Sequence, residues 1–164
     1  MLTLLGYTLL TLALLVSTYL AFRPEASSDP LVRTTSMAAQ SSPFLFLVAA
    51  FLIEATTLDL VSRYVGEGLP LSYRISAVWG SRSGPLLMWA SMMGVITWVM
   101  SRDNKLDSTT IRIMHSWTAI LLLVASVLRP FSPADSGSSG VISPLLQTDL
   151  MVIHPPIVFV YYSL

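Results

Sequence analysis

Four long stretches of this chain carry no charged side chain, and they constrain its fold more than any other feature. They are Met1 to Phe22, Thr34 to Ile53, Ser83 to Ser101 and Ile113 to Leu128. A helix needs about 20 apolar residues to cross roughly 30 Å of hydrocarbon. The first three stretches approach or exceed that length and the fourth is shorter. We therefore expect all four to be membrane-spanning helices.

The composition agrees with membrane residence and argues against other classes of protein. Of 164 residues, 54% are apolar and 11% are charged, and nine Lys plus Arg balance nine Asp plus Glu. An average soluble domain has about 25% charged residues. Because the chain has no basic excess, it is poorly suited to bind nucleic acid. It contains no cysteine, which excludes disulfides, thiolate metal sites and cysteine nucleophiles.

The apolar pattern predicts an all-α, polytopic helical membrane protein with four complete spans and the start of a fifth. The predicted spans in this single membrane domain, residues 1–164, are 2–22, 38–58, 84–101, 112–128 and 152–164. The fifth is expected to be incomplete because its apolar run still continues at Leu164. The first apolar stretch has no Lys or Arg ahead of it and is long for a signal peptide, so we interpret it as a retained span.

Counting crossings places the loops 59–83 and 129–151 on the same side of the membrane. That side carries four basic residues, Arg63, Arg74, Arg82 and Arg129, and the opposite side carries five, Arg23, Arg33, Arg102, Lys105 and Arg112. The positive-inside rule slightly favours the Lys105 side as cytoplasmic. Within the second loop, the Ser- and Gly-rich stretch 131–140 is typical of a flexible linker.

The first of two motifs is the stretch LSYRISAVWGSRSGPLLMWA, residues 71–90. Tyr73, Trp79 and Trp89 are aromatic residues of the kind found at membrane interfaces, which alone could explain them. A short amphipathic run ends at Trp79, and then Ser83 and Pro85 supply a cap and a first-turn proline. This order predicts an interfacial or re-entrant segment that leads into a span.

The second motif contains His154, which is followed by Pro155 and Pro156. Because proline favours the first turn of a helix, His154 is expected at the N-terminal mouth of the last helix. The positive helix end favours a neutral imidazole, which is the form that binds a metal. Haem iron is the natural candidate, and an interfacial histidine that only caps the helix is the alternative. Since two predicted spans separate Trp79 from His154, both motifs face one side and could form one site.

Together the motifs resemble the N-terminal part of CcmF, the membrane subunit of the cytochrome c maturation haem lyase. The matching residues are Tyr73, Arg74, Trp79, Gly80, Gly84, Leu86, Leu87 and Trp89, then Pro144, Leu145, Leu146, Gln147, His154, Pro155, Pro156, Phe159 and Tyr162. The chain departs from the family where Ser83-Gly84-Pro85 replaces Glu-Gly-Ser and Ser143-Pro144 replaces Asn-Pro.

The resemblance implies a subunit of a haem lyase complex in the cytoplasmic membrane, rather than a complete enzyme. It would help hold and orient haem for attachment to apocytochrome c, with both motif loops outside. It implies that His154 is an axial haem ligand and that Trp79 and Trp89 belong to a haem-docking loop. The implied partners are the haem chaperone CcmE, a CcmH-like subunit and a companion C-terminal CcmF chain. That companion would carry the tryptophan-rich WWD segment, which a split or truncated form of this length lacks.

Two alternatives come from other classes of protein. A transporter or channel subunit would use Glu54 as an intramembrane acid, although an interfacial position is favoured because Asp59 and the loop follow closely. An assembly scaffold would bind no haem. The other histidine, His115, is expected to be structural, near the opposite membrane face from His154.

Overall fold

The computed structural model describes residues 1–66, 68–103, 106–135, 140 and 147–164. Lys105, residues 136–139 of the Ser- and Gly-rich stretch and the Pro144-Leu145-Leu146 part of the second motif lie outside them. Seven α-helices run through the described part of the chain. They are α1 (Leu2–Phe22), α2 (Pro30–Leu52), α3 (Asp59–Tyr64), α4 (Leu71–Gly80), α5 (Gly84–Met100), α6 (Ser108–Val127) and α7 (Asp149–Ser163). The all-α prediction is confirmed, since the described residues form no strand, only an isolated bridge between Leu58 and Pro133.

Three helices, α1, α2 and α6, are long and apolar enough to cross a membrane. Helices α4 and α5 pass the same test together but are bent by 93° at their junction, as in a broken span or a re-entrant loop. The structure therefore gives three candidate spans, or four if this pair counts as one, and does not confirm the predicted four complete spans with the start of a fifth. Helix α7 has 15 residues, about 22 Å at 1.5 Å per residue, which is shorter than a span.

Helix α2 begins earlier than the predicted span 38–58. Asp29 accepts a hydrogen bond from the backbone N–H of Leu31 at 2.7 Å, and Pro30 occupies the first turn, so the start is well capped. The polar residues that follow bond within the helix, since Thr34 and Thr35 donate to carbonyls of the preceding turn. Hydroxyls that bond their own helix make a polar sequence compatible with helical structure.

Helices α1, α2, α5 and α6 pack as a bundle, and the chain after α6 folds back onto it. Phe131 is fully buried, with its ring 5.8 Å from that of Tyr7 and 5.5 Å from that of Phe46. Backbone bonds then join this segment to the one after α2, where Asp59 N–H donates to the Ser132 carbonyl at 2.9 Å. The start of the stretch predicted as a flexible linker is therefore packed, and the two motif loops lie side by side.

Candidate functional site

The turn between α4 and α5 contains a glycine, Gly84, that a larger residue could replace only if the backbone moved. A Cβ atom at Gly84 would lie 1.7 Å from the carbonyl oxygen of Val78. Ser81 stabilises the turn, because its hydroxyl donates to the Val78 carbonyl and accepts from the Gly84 N–H. Pro85 is in the first turn of α5 as predicted, whereas Ser83 makes no capping hydrogen bond. Ser83 thus occupies the predicted N-cap position, but its side chain does not cap the helix, and Pro85 at the second helical position has no N–H to donate to it.

A short hydrogen bond joins the two sequence motifs. The indole N–H of Trp79, on α4, donates to the backbone carbonyl of Met151, on α7, at 2.7 Å. In a regular helix this carbonyl would accept from residue 155, but Pro155 has no N–H to donate. Trp79 therefore supplies the bond that Pro155 removes from α7.

His154 lies in the second turn of α7 and not at its N-terminal mouth. The helix begins at Asp149, and the Thr148 side chain caps it by accepting from the Met151 N–H. The first turn of a helix has free N–H groups, which is why prolines favour it. Here Trp79 compensates for Pro155 inside the helix, so α7 begins earlier than proline preference suggests. Tyr73 adds a longer contact, with its hydroxyl 3.4 Å from Asp149 Oδ1.

The His154 side chain is exposed and has no hydrogen-bond partner among the described residues. Leu150, four residues before it, and Ile157 and Tyr161, three and seven residues after it, lie on the same side of α7 and are 71%, 61% and 75% exposed. This outward face of α7, defined by these four residues, is turned away from the bundle. A free imidazole within an apolar and aromatic surface is available to an external ligand.

Trp89 is at the centre of an aromatic cluster on the inner side of α7. Its ring lies 5.6 Å from Trp117, 5.7 Å from Phe159 and 6.0 Å from Tyr162, which joins α5, α6 and α7. Phe159 is about 140° around the helix from His154 at 3.6 residues per turn. Trp79 and Trp89 thus contact α7 from within the bundle, and no described contact joins either indole to the His154 ring.

The described residues fit one side of a haem site. No group of three or more His, Asp or Glu residues among them could hold a metal ion directly. His154 has a free imidazole, which suits an axial haem ligand, and its apolar neighbours suit contact with a porphyrin face. Among the described residues, His154 would supply one axial ligand to the iron.

Glu54 lies beyond the end of α2, which stops at Leu52. Its carboxylate pairs with Arg74 on α4 at 2.7 Å, and its side chain is 45% exposed. Arg74 also donates to the backbone carbonyls of Leu52 and Leu69. Glu54 is therefore a half-exposed, paired carboxylate that follows α2, outside the helices long enough to cross a membrane.

His115 is buried in the bundle, 2% exposed. Its Nδ1 lies 3.0 Å from the Gln40 amide nitrogen, and its Nε2 lies 3.3 Å from the Ser27 hydroxyl. Gln40 also donates to the Ser17 hydroxyl at 3.1 Å. Both ring nitrogens are engaged, as expected of a structural histidine. Gln40, the largest polar side chain in the uncharged stretch Thr34 to Ile53, was the available signal for this polar cluster.

Several curated proteins are similar to this chain. CcmF of Escherichia coli, a cytochrome c-type biogenesis protein, is 31% identical over 128 residues, which is 73% of this chain and 20% of CcmF. CcmF and NrfE of Haemophilus influenzae are 27% and 23% identical over 96% of the chain. The chain spans about a fifth of the length of E. coli CcmF. No family model matches the chain, and no solved structure matches it significantly.

The apolar helices and the bent α4–α5 pair define a multi-pass helical membrane protein. Its homologues are the CcmF and NrfE cytochrome c-type biogenesis proteins, and the similarity is consistent with an N-terminal CcmF-like part. The resemblance inferred from the two motifs is therefore confirmed.

Proposed function

We propose that this chain is a haem-handling subunit of a cytochrome c maturation assembly, in which His154 is an axial haem ligand. The observation that carries the proposal is the position of His154, free and exposed on the outward face of α7. Two further observations support it. The names of the relatives place them in cytochrome c-type biogenesis, and the HPP motif is held to the Trp79 segment by a direct bond.

The contribution of the chain's own residues is to bind and orient. His154 offers a nitrogen lone pair to the iron, and Leu150, Ile157 and Tyr161 would contact the porphyrin beside it. Haem, when bound, supplies the vinyl groups that become attached to apocytochrome c. The bundle holds α7 from behind through Trp79 and Trp89, so these tryptophans act on the position of the helix. No acid–base role is assigned to them.

The exposed outward face of α7 suggests where a partner chain would bind. His154 offers one axial ligand from an exposed face, and we propose that the companion C-terminal CcmF chain covers this face. The haem chaperone CcmE, a CcmH-like subunit and apocytochrome c are the other proposed partners. In this arrangement the assembly lies in the cytoplasmic membrane, with the loops 59–83 and 129–151 outside.

Haem spectra of the purified complex test the proposal. The chain is co-purified with its companion as wild type, as His154→Ala and as the matched control His115→Gln, which alters the other histidine. We expect His154→Ala to lose or shift the haem absorption while His115→Gln retains it. Unchanged haem content and spectrum in His154→Ala would overturn the ligand assignment.

A further inference from the structure

Pro155 leaves a specific gap in the hydrogen bonding of α7. In a helix each N–H bonds the carbonyl four residues earlier, so Pro155 frees Met151 and Pro156 frees Val152. The proline ring also crowds the carbonyl four residues before it. A partly buried carbonyl without a partner is costly. The turn that carries His154 is therefore the weakest part of α7 unless an outside donor is present.

Trp79 is held so that it can be this donor. Its indole nitrogen lies 2.7 Å from the Met151 oxygen, a short and well-formed bond. Arg74 anchors the same helix by donating to the Leu52 and Leu69 carbonyls and by pairing with Glu54. The Gly84 turn fixes the other end of α4. The donor thus comes from a short helix that is fixed at both ends.

From this geometry we infer that Trp79 is a positioning residue for His154. Its N–H replaces the helical bond that Pro155 removes, and so fixes the turn from Met151 to Pro155 on which the histidine is carried. The hydrogen-bond replacement stands on the structure alone, whereas its consequence for haem rests on the proposed function. The indole would act through the backbone and not by touching the ligand.

A double-mutant cycle tests the replacement. Trp79→Phe keeps an aromatic ring and removes the N–H, and Pro155→Ala restores the internal donor to Met151. In the wild-type background, we expect Trp79→Phe to leave the Met151 carbonyl without its hydrogen bond. In the Pro155→Ala background the carbonyl can bond the new N–H of residue 155, so we expect Trp79→Phe to have no such effect. Pro156→Ala is the matched control, because it restores a donor to Val152 instead. In that background Trp79→Phe should act as it does in wild type.

The Met151 carbonyl can be observed directly. The sequence contains a single Met-Val pair, Met151-Val152, so labelling Met with ¹³C at the carbonyl and Val with ¹⁵N selects one correlated NMR signal. Loss of the indole bond should move the Met151 carbonyl resonance upfield. A resonance that does not move on Trp79→Phe, or that moves equally in the Pro155→Ala background, would overturn the inference. The smaller ring of Phe is present in both backgrounds, so a loss of packing would move the resonance equally in both. Only loss of the indole hydrogen bond predicts a difference between them.

Haem affinity of the same variants tests whether the bond between Trp79 and the Met151 carbonyl matters for haem binding. In the complex with its companion, Trp79→Phe should lower haem affinity by about 5-fold, the effect expected for one hydrogen bond, and Pro155→Ala should rescue it. If the NMR cycle behaves as expected but His154→Ala leaves haem unchanged, the proposed function fails and the replacement stands. If His154→Ala removes haem but the cycle shows no coupling, the positioning role fails alone.

Discussion

Gln40 Nε2 lies 3.0 Å from His115 Nδ1 and joins α2 to α6 in the interior of the bundle. The same nitrogen donates to Ser17 on α1, so one side chain connects three helices. Interhelical hydrogen bonds of this kind contribute modestly to the stability of membrane proteins, because an unfolded segment in the membrane also finds partners. The polar cluster is therefore expected to stabilise the bundle without being essential to it.

Gln40→Leu should lower the free energy of unfolding by about 0.5–2 kcal/mol, measured by thermal or chemical unfolding in detergent. It leaves the Ser17 hydroxyl and the His115 ring without this partner. Thr35→Val on the same helix is a control, since Thr35 is exposed and bonds only its own helix. Equal effects of the two variants would contradict a special role for the Gln40 contact.

Gly84→Ala should destabilise the chain by roughly 2–4 kcal/mol, because the added methyl would overlap the Val78 carbonyl. Gly68→Ala provides the comparison. Gly68 has a positive φ of 78° but open space around its Cβ position, so its cost of about 1 kcal/mol is conformational only. The unfolding midpoints of both variants measure the difference. A Gly68→Ala variant as unstable as Gly84→Ala would argue against the tight turn.

The start of α6 should show a pH dependence that arises from Asp107. Hydrogen bonds from the Thr110 side chain and backbone lower the pKa of this N-capping carboxyl below its ordinary value. A lowered folded-state pKa means that its stabilisation is present above the unfolded pKa and is lost as pH falls through the folded value. Asp107→Asn should keep the cap and remove this part of the pH dependence, whereas Asp107→Ala should lower the melting temperature at pH 7. Identical acid profiles for wild type and Asp107→Asn would contradict the assignment.

Arg74→Gln should destabilise the chain more than Glu54→Gln does. Loss of the Glu54 carboxylate removes a half-exposed ion pair, which is worth less than about 1 kcal/mol. Loss of the guanidinium also removes two hydrogen bonds to backbone carbonyls. Thermal unfolding of the two variants gives the order. The opposite order would mean that the charge of Glu54 matters for something other than this contact.

The sequence predicted some helix ends better than others. Helix α1 ends at Phe22, the last residue of the first uncharged stretch, and Pro24 disfavours helical geometry at Arg23. Helix α2 extends further back because Asp29 caps it and Pro30 occupies its first turn, which an apolar count does not register. The early start of α7 was missed because proline preference assumes that no outside donor exists.

The sequence predicted that the two motifs could form one site, but not which residues make the contacts between them. Counting spans placed Trp79 and His154 on the same side, and the structure brings their segments together. The sequence could not show that Trp79 faces a backbone carbonyl, since that depends on the distance between α4 and α7. Nor could it show that Trp89 packs on Phe159 and leaves His154 outside the aromatic cluster.

The most direct test of the account replaces the His154 side chain with a diffusible equivalent. In His154→Gly, co-purified with its companion chain, haem binding should be weak, and added imidazole should restore the wild-type haem spectrum by occupying the vacated position. His115→Gly should show neither the loss nor the imidazole-dependent recovery. Wild-type haem content in His154→Gly, with a spectrum insensitive to imidazole, would contradict the claim that His154 is an axial haem ligand.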